Sequence, residues 1–123
     1  EGEEVELDGW MIKPKNFDPK QKYPMIVFVY GEPAACCCVD RYSRFYPWHH
    51  LLANTGYVVA TIDPRGSPAP RGRKFRKCVY KKIGIQSPDD IYKAVKALKK
   101  RHSFISDDVG IWGWSGGGST TLH

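Results

Sequence analysis

Ile111-Trp112-Gly113-Trp114-Ser115-Gly116-Gly117-Gly118 is the stretch whose reading decides the fold. It contains Gly113-x-Ser115-x-Gly117, the G-x-S-x-G pattern in which a serine sits on a sharp turn between a strand and a helix. The pattern has mechanical content. The serine takes a strained backbone geometry, and flanking glycines remove the Cβ atoms that would clash in so tight a turn. The helix that follows offers free N–H groups where an oxyanion would form. Context supports the reading. Val109-Gly110-Ile111-Trp112 is a short apolar run, as expected of a buried strand, and Ser119-Thr120-Thr121-Leu122 can open a helix. A phosphate-cradling loop would need lysine where Ser119 stands, so that reading fails. A flexible Gly/Ser linker is the bland alternative, but linkers are not usually entered through Ile-Trp-Gly-Trp.

Working outward, the remaining elements alternate. Met25-Ile26-Val27-Phe28-Val29-Tyr30 is an unbroken apolar run that suits a strand buried on both faces of a parallel sheet, and Tyr57 to Ile62 repeats it. Between them, Trp48 to Asn54 reads as a short helix closed by Gly56. Ser87-Pro88-Asp89-Asp90 reads as a helix start with Ser87 at the N-cap, followed by Ile91, Ala94, Val95 and Leu98 on one stripe. Glu3 to Ile12 alternates loosely, as a half-exposed strand would, with Asp8-Gly9 as a break. Strand, helix, strand, helix, strand, elbow is an α/β pattern with a mostly parallel sheet.

Composition sets outer limits. At 123 residues, 41% hydrophobic and 13% aromatic, the chain is one domain at most and rich enough to build a core. No run approaches the ~20 apolar residues of a membrane helix. There is no initiator Met and no signal-peptide pattern, since Glu1 begins an acidic stretch, so the chain is expected to be excised from something longer. The net charge is +6, with most of the excess between Arg71 and Lys82. A nucleic-acid-associated module is the sharp reading of that cluster. No recognisable nucleic-acid-binding motif accompanies it, and a solvated, partly helical basic face is favoured. Cys36, Cys37 and Cys38 are consecutive, so in an extended segment they cannot all ligate one tetrahedral metal ion; with Cys78 they leave the redox compartment open.

The residues also carry a resemblance. Tyr30-Gly31-Glu32-Pro33, Trp48-His49-x-Leu51-Leu52-Ala53, Asp63-x-Arg65-Gly66-x-Pro68-Ala69-Pro70-Arg71-Gly72-Arg73 and Gly113-Trp114-Ser115-Gly116-Gly117-Gly118 resemble bacterial dipeptidyl peptidase IV-type enzymes of the prolyl oligopeptidase family. The resemblance implies the N-terminal part of an α/β-hydrolase catalytic domain over residues 1–123, of the kind that follows a β-propeller in one chain. It implies a serine peptidase that releases N-terminal dipeptides with proline or alanine in second place. It is compatible with a homodimeric, exported or periplasmic parent, and it implies no metal or organic cofactor and no nucleic-acid partner. Carried over by position, Ser115 is the nucleophile, Tyr30 gives its hydroxyl to the oxyanion hole and Gly116 gives its N–H.

The departures are substantial. The triad runs Ser, Asp, His along such a chain, and only Thr121, Leu122 and His123 follow the elbow helix start, so the parent's Asp and His are expected beyond this sequence. The propeller's acidic residues and the proline pocket are likewise expected elsewhere. Gly116 stands where many relatives have Tyr, Pro64 where Asn is common, and Cys36-Cys37-Cys38 replaces a more polar stretch. No local histidine substitutes for the base. His123 lies about two helical turns, ~12 Å, past Ser115; His49 and His50 are expected to cap or pack a surface helix, and His102 to end the amphipathic one. Arg65 is expected to tie its loop to nearby carbonyls or carboxylates, and Trp112 and Trp114 to fill core around the elbow. An esterase or lipase remains the second enzyme reading, since such an elbow serves any acyl transfer.

Overall fold

The computed structural model describes residues 4–123; the expected strand start at Glu3 and the acidic start at Glu1 lie outside the described residues. Four strands, β1 (Asp8–Ile12), β2 (Tyr23–Val29), β3 (Val58–Asp63) and β4 (Ile105–Gly113), form one sheet in the order β1-β3-β2-β4. β3, β2 and β4 run parallel, and β1 is antiparallel to β3. The helices are α1 (Tyr46–Asn54), α2 (Gly72–Lys77), α3 (Gln86–Arg101) and α4 (Gly116–Leu122). The sheet is mixed and mostly parallel, as the α/β-hydrolase reading requires.

Strand alternation divides the core between two faces. Tyr23, Met25, Val27 and Val29 of β2, with Val58, Ala60 and Ile62 of β3, pack under Ile91, Ala94, Val95 and Leu98 of α3. The opposite face carries Phe28 and Trp112, whose rings meet those of Phe45 and His49 at the start of α1. All six residues of β3 are buried, which explains why its sequence shows a continuous apolar run. Pro24 has no N–H for the ladder, and the β2–β4 register shifts beside it, between Tyr23 and Met25.

Several expectations need correction. α3 starts at Gln86 with Ile85 as its N-cap, so Ser87 is a first-turn residue whose buried hydroxyl finds no partner. The missing N–H of Pro88 costs nothing there, because first-turn amides have no intrahelical acceptor. Asp8-Gly9 is not a break: both residues pair within β1, opposite Asp63 and Ile62. α1 starts two residues before Trp48 and accommodates Pro47 in its first turn. Gly56, at φ +103°, follows the Thr55 cap and donates its N–H to the Ala53 carbonyl, as the capping reading requires. The expected apolar run of β4 is not a buried one: Val109 and Ile111 are 38% and 37% exposed, because β4 is the outer strand of the described sheet. The basic segment is partly helical, with α2 carrying no buried residue.

Candidate active site

The candidate site lies at the carboxyl ends of the three parallel strands, where open α/β sheets gather ligands. β4 ends at Gly113, and Ser115 follows at φ 56°, ψ −120°, a backbone conformation that costs a non-glycine residue of order 1–3 kcal/mol. The chain then enters α4 at Gly116. The Gly117 N–H donates to the Trp114 carbonyl at 2.9 Å, and the Ser119 N–H to the Ser115 carbonyl at 3.2 Å.

Two glycines make this turn possible through close approach. A Cβ on Gly113 would stand 2.5 Å from the Val29 carbonyl oxygen, and one on Gly117 would overlap that same oxygen. The start of α4 is therefore pressed against the end of β2. This brings in Tyr30: its α-carbon lies 3.2 Å from where a Gly117 Cβ would be. The Tyr30 loop is itself fixed. Gly31 takes φ +77°, and a Cβ there would run into the hydroxyl oxygens of Ser87 and Thr120. The Thr120 hydroxyl lies 3.0 Å from the Gly116 carbonyl and 3.5 Å from that of Tyr30.

The three residues singled out by sequence thus come together. Ser115 is exposed, Gly116 is buried beneath it, and Tyr30 faces a cleft of about 540 Å³ that it shares with Trp114, Phe45, Tyr46 and Arg44. Trp114 is 71% exposed along this cleft, so it is not the core filler expected from sequence. Trp112 is: its ring centroid lies 4.7 Å from that of Phe28, the two planes tilted by 37°.

No histidine joins Ser115. His49 is fully buried on the α1 face, among Trp10, Phe28 and Trp112, which corrects the surface-helix expectation. Burial first, and then the nearby His50, lowers its pKa to about 4. His50 is exposed, His102 caps α3 and His123 follows α4.

The neighbouring loops are held by polar contacts. Asp90 of α3 accepts from the Arg65 backbone N–H at 3.0 Å and from its guanidinium at 2.5 Å, and this pairing raises the arginine's pKa. That is the structural role expected of Arg65. Asp63, at the end of β3 and 3% exposed, accepts from the backbone N–H groups of Cys37 and Cys38 at 2.8–3.1 Å. The cysteine run therefore matters here through its backbone. Burial, then the charge of Asp63, pushes the Cys37 thiol up to about 12 and raises that of Cys38 further. Both stay protonated near neutral pH, where a thiolate would be needed for nucleophilic attack or metal ligation. Among the described residues, no three His, Cys, Asp or Glu side chains are placed to hold a metal ion, and no helix is long and apolar enough to cross a membrane.

Two groups are not legible from sequence. Nothing local to Asp63 signals that its carboxylate will cap amides 25 residues earlier. Nothing in the turn around Glu32 signals that its side chain lies over Gly116.

Residues 44–123 match the prolyl oligopeptidase family. Over 118 residues the chain is 40% identical to human dipeptidyl peptidase 8, covering 94% of this chain and 13% of that protein. It is 35% identical to dipeptidyl aminopeptidase A of Saccharomyces cerevisiae over 120 residues, 96% of this chain and 13% of that one. Among solved structures, dipeptidyl peptidase 4 of Porphyromonas gingivalis matches with a TM-score of 0.88 and 43% identity, covering 96% of this chain and 16% of that one. A putative dipeptidyl aminopeptidase IV of Bacteroides ovatus matches at 0.82 and 38%, over 92% and 16%. The chain thus spans about an eighth of the length of these sequence relatives.

Proposed function

The chain belongs to the prolyl oligopeptidase family, and from that premise we propose that it forms the N-terminal part of the catalytic domain of a longer serine peptidase that releases dipeptides from peptide N-termini. The observation that carries the reading is the strained backbone of the exposed Ser115, next to the cleft-lining Trp114 and held by the packing of Gly113 and Gly117 against Val29. A nucleophile needs this exposure, and a loop serving only structure has no use for the strain.

In the proposed reaction, Ser115 Oγ attacks the scissile carbonyl and gives its proton to a histidine. The tetrahedral intermediate collapses to an acyl-enzyme as the amine leaves with that proton, and water then hydrolyses the ester. The Tyr30 hydroxyl and the Gly116 N–H donate to the oxyanion. Two donors fixed before the reaction matter, because losing one typically costs ~10²–10³ in rate. The histidine and its orienting aspartate come from the longer polypeptide, as the Ser, Asp, His order requires. Proline or alanine is the expected second residue of the substrate, and a homodimer the expected assembly.

The test uses the longer enzyme. A fluorophosphonate should label Ser115, and a Gly-Pro anilide should be turned over, with both lost in Ser115→Ala. Turnover that survives Ser115→Ala would overturn the assignment.

A further inference from the structure

The cleft beside Tyr30 and Trp114 is positively charged and has no acid of its own. Arg41 and Arg44 line it, both exposed, and no aspartate or glutamate does. Asp40 opens instead on a neighbouring hollow with Asp8, Asp63 is taken up by the Cys37 and Cys38 amides, and Glu32 lies against Gly116. Among the described residues neither arginine makes an ion pair or a side-chain hydrogen bond. Arg44 is held all the same. Its guanidinium lies over the Phe45 ring, 5.0 Å from the centroid, and that ring packs against Phe28 at 5.2 Å and Trp112 at 5.8 Å. The loop before α1 is pinned too. The Phe45 N–H donates to the Ser43 hydroxyl at 3.3 Å, and the Tyr46 N–H to the Ser43 carbonyl at 3.0 Å. A guanidinium resting on a ring by one face keeps the N–H groups along its edge free, and that edge matches a carboxylate.

These charges bear on how a substrate lies in the reaction proposed above, on which the inference rests. There the scissile carbonyl sits against the Tyr30 hydroxyl, and the substrate chain leaves it in two directions. One arm is the acyl dipeptide, which ends in a free ammonium group. The other is the leaving peptide. Two unpaired guanidiniums in a cleft without a carboxylate repel an ammonium. The dipeptide arm therefore turns away, and the leaving peptide fills the cleft, whose volume of about 540 Å³ suits a ligand site. Trp114, 71% exposed, and the half-buried Tyr46 give that peptide apolar surface to lie on. We infer that Arg41 and Arg44 are specificity-determining residues, selecting an acidic side chain within the first two residues after the scissile bond. The proline or alanine proposed before that bond belongs to the other arm and is unaffected.

The experiment gives the longer enzyme two peptide amides, Gly-Pro-Glu-Glu and Gly-Pro-Gln-Gln, and follows release of Gly-Pro by mass spectrometry. The acyl halves are identical, and the leaving halves have nearly the same shape but differ in charge. The unmodified enzyme should favour the glutamate peptide about fivefold in kcat/KM, the scale of an exposed ion pair. That preference should shrink as salt rises from about 50 to 500 mM. Arg41→Gln and Arg44→Gln should each lower the ratio, and the double variant should bring it close to unity. Arg44→Lys, which keeps the charge and loses the planar fork, should fall between. No glutamate preference in the unmodified enzyme would overturn the inference without recourse to any variant. A preference that survives in the double variant would come from the general field of the protein and would overturn it as well. Gly-Pro anilide, whose leaving group carries no charge, separates this from the reaction itself. Turnover of the anilide with no glutamate preference removes Arg41 and Arg44 alone. No turnover of the anilide removes the reaction, and the inference falls with it.

Discussion

Replacing His49 by phenylalanine should abolish a pH dependence of stability that the aromatic cluster builds into this fold. The imidazole is fully buried, its ring centroid 4.9 Å from that of Phe28, 5.4 Å from Trp10 and 5.8 Å from Trp112. Neither ring nitrogen has a partner. Protonation would place a charge among rings that cannot solvate it, hence a pKa of about 4 against the ordinary 6.5. The sign follows from which state takes up the proton. Above pH 6.5 neither folded nor unfolded chain protonates this group, and its contribution is flat. Between 6.5 and about 4 the unfolded chain binds a proton that the folded chain refuses, so stability falls as pH falls. At ~1.36 kcal/mol per unit the full gap is worth about 3 kcal/mol, of which about 2 kcal/mol is lost by pH 5. Two salt-bridged carboxylates titrate outside this window. Asp8, hydrogen-bonded by Arg71, and Asp107, hydrogen-bonded by Lys99, are held below their usual 3.8 and lose their contributions only in more acid solution.

His49→Phe keeps the ring and removes both orphaned nitrogens, so at pH 7 it should lie within ~1.5 kcal/mol of the unmodified protein, as shape-conserving swaps do. At pH 5 its relative stability should improve by about 2 kcal/mol. Urea unfolding from pH 7.5 to 4.5 reads the slope, and C2-hydrogen exchange of histidine, followed by mass spectrometry, reads the pKa residue by residue. A midpoint for His49 near 6.5, or an unchanged slope in His49→Phe, would refute the argument.

The remaining predictions concern the site and the sheet. In the longer enzyme, Tyr30→Phe should lower kcat by ~10²-fold with little change in KM if the hydroxyl acts on the transition state as proposed; steady-state kinetics decides. Gly117→Ala forces a methyl group into the Val29 carbonyl and should abolish fluorophosphonate labelling of Ser115, with a lowered Tm. Asp63→Asn should destabilise by about 2–3 kcal/mol, because its amide half cannot accept from the Cys37 and Cys38 amides; hydrogen exchange of those two amides should rise in step. The 123-residue chain alone should self-associate at micromolar concentration through the outer edge of β4, where unpaired backbone groups flank exposed Val109 and Ile111, and sedimentation reads it.

Legibility in the sequence followed the range of the interactions involved. β2 and β3 were readable because burial on both faces leaves a continuous apolar run. α3 was readable because its stripe meets one surface, Met25 to Val29 and Val58 to Ile62. The elbow was readable because steric necessity admits few residue types at Gly113 and Gly117. What stayed hidden depends on partners far along the chain. His49 looks like a surface-helix residue until Trp10, Phe28 and Trp112 close over it. Cys37 and Cys38 act through backbone N–H groups, which every residue but proline has, so their identity says nothing of the contact with Asp63. Ser87-Pro88 misled because a proline is equally at home throughout a first turn.

The same distinction separates positioning from activation in the candidate site. The strain at Ser115 is sustained by β2, β4 and α4 alone: the Val29 carbonyl, the Gly113 and Gly117 contacts and the Thr120 hydroxyl. These are packing constraints, and they hold whether or not a proton acceptor is present. Activation is different in kind, because serine at its own pKa is a weak nucleophile until a base lies within hydrogen-bond reach. His49 cannot serve: it is enclosed by aromatic rings on the α1 face, and its lowered pKa makes it a poor proton acceptor near neutrality. The chain therefore holds the proposed nucleophile in its strained turn before anything deprotonates it. A probe that needs only geometry and a probe that needs the base should then separate. In the longer enzyme, removing the histidine should suppress turnover by orders of magnitude while Ser115 keeps its backbone conformation, whereas Gly117→Ala should destroy the conformation first.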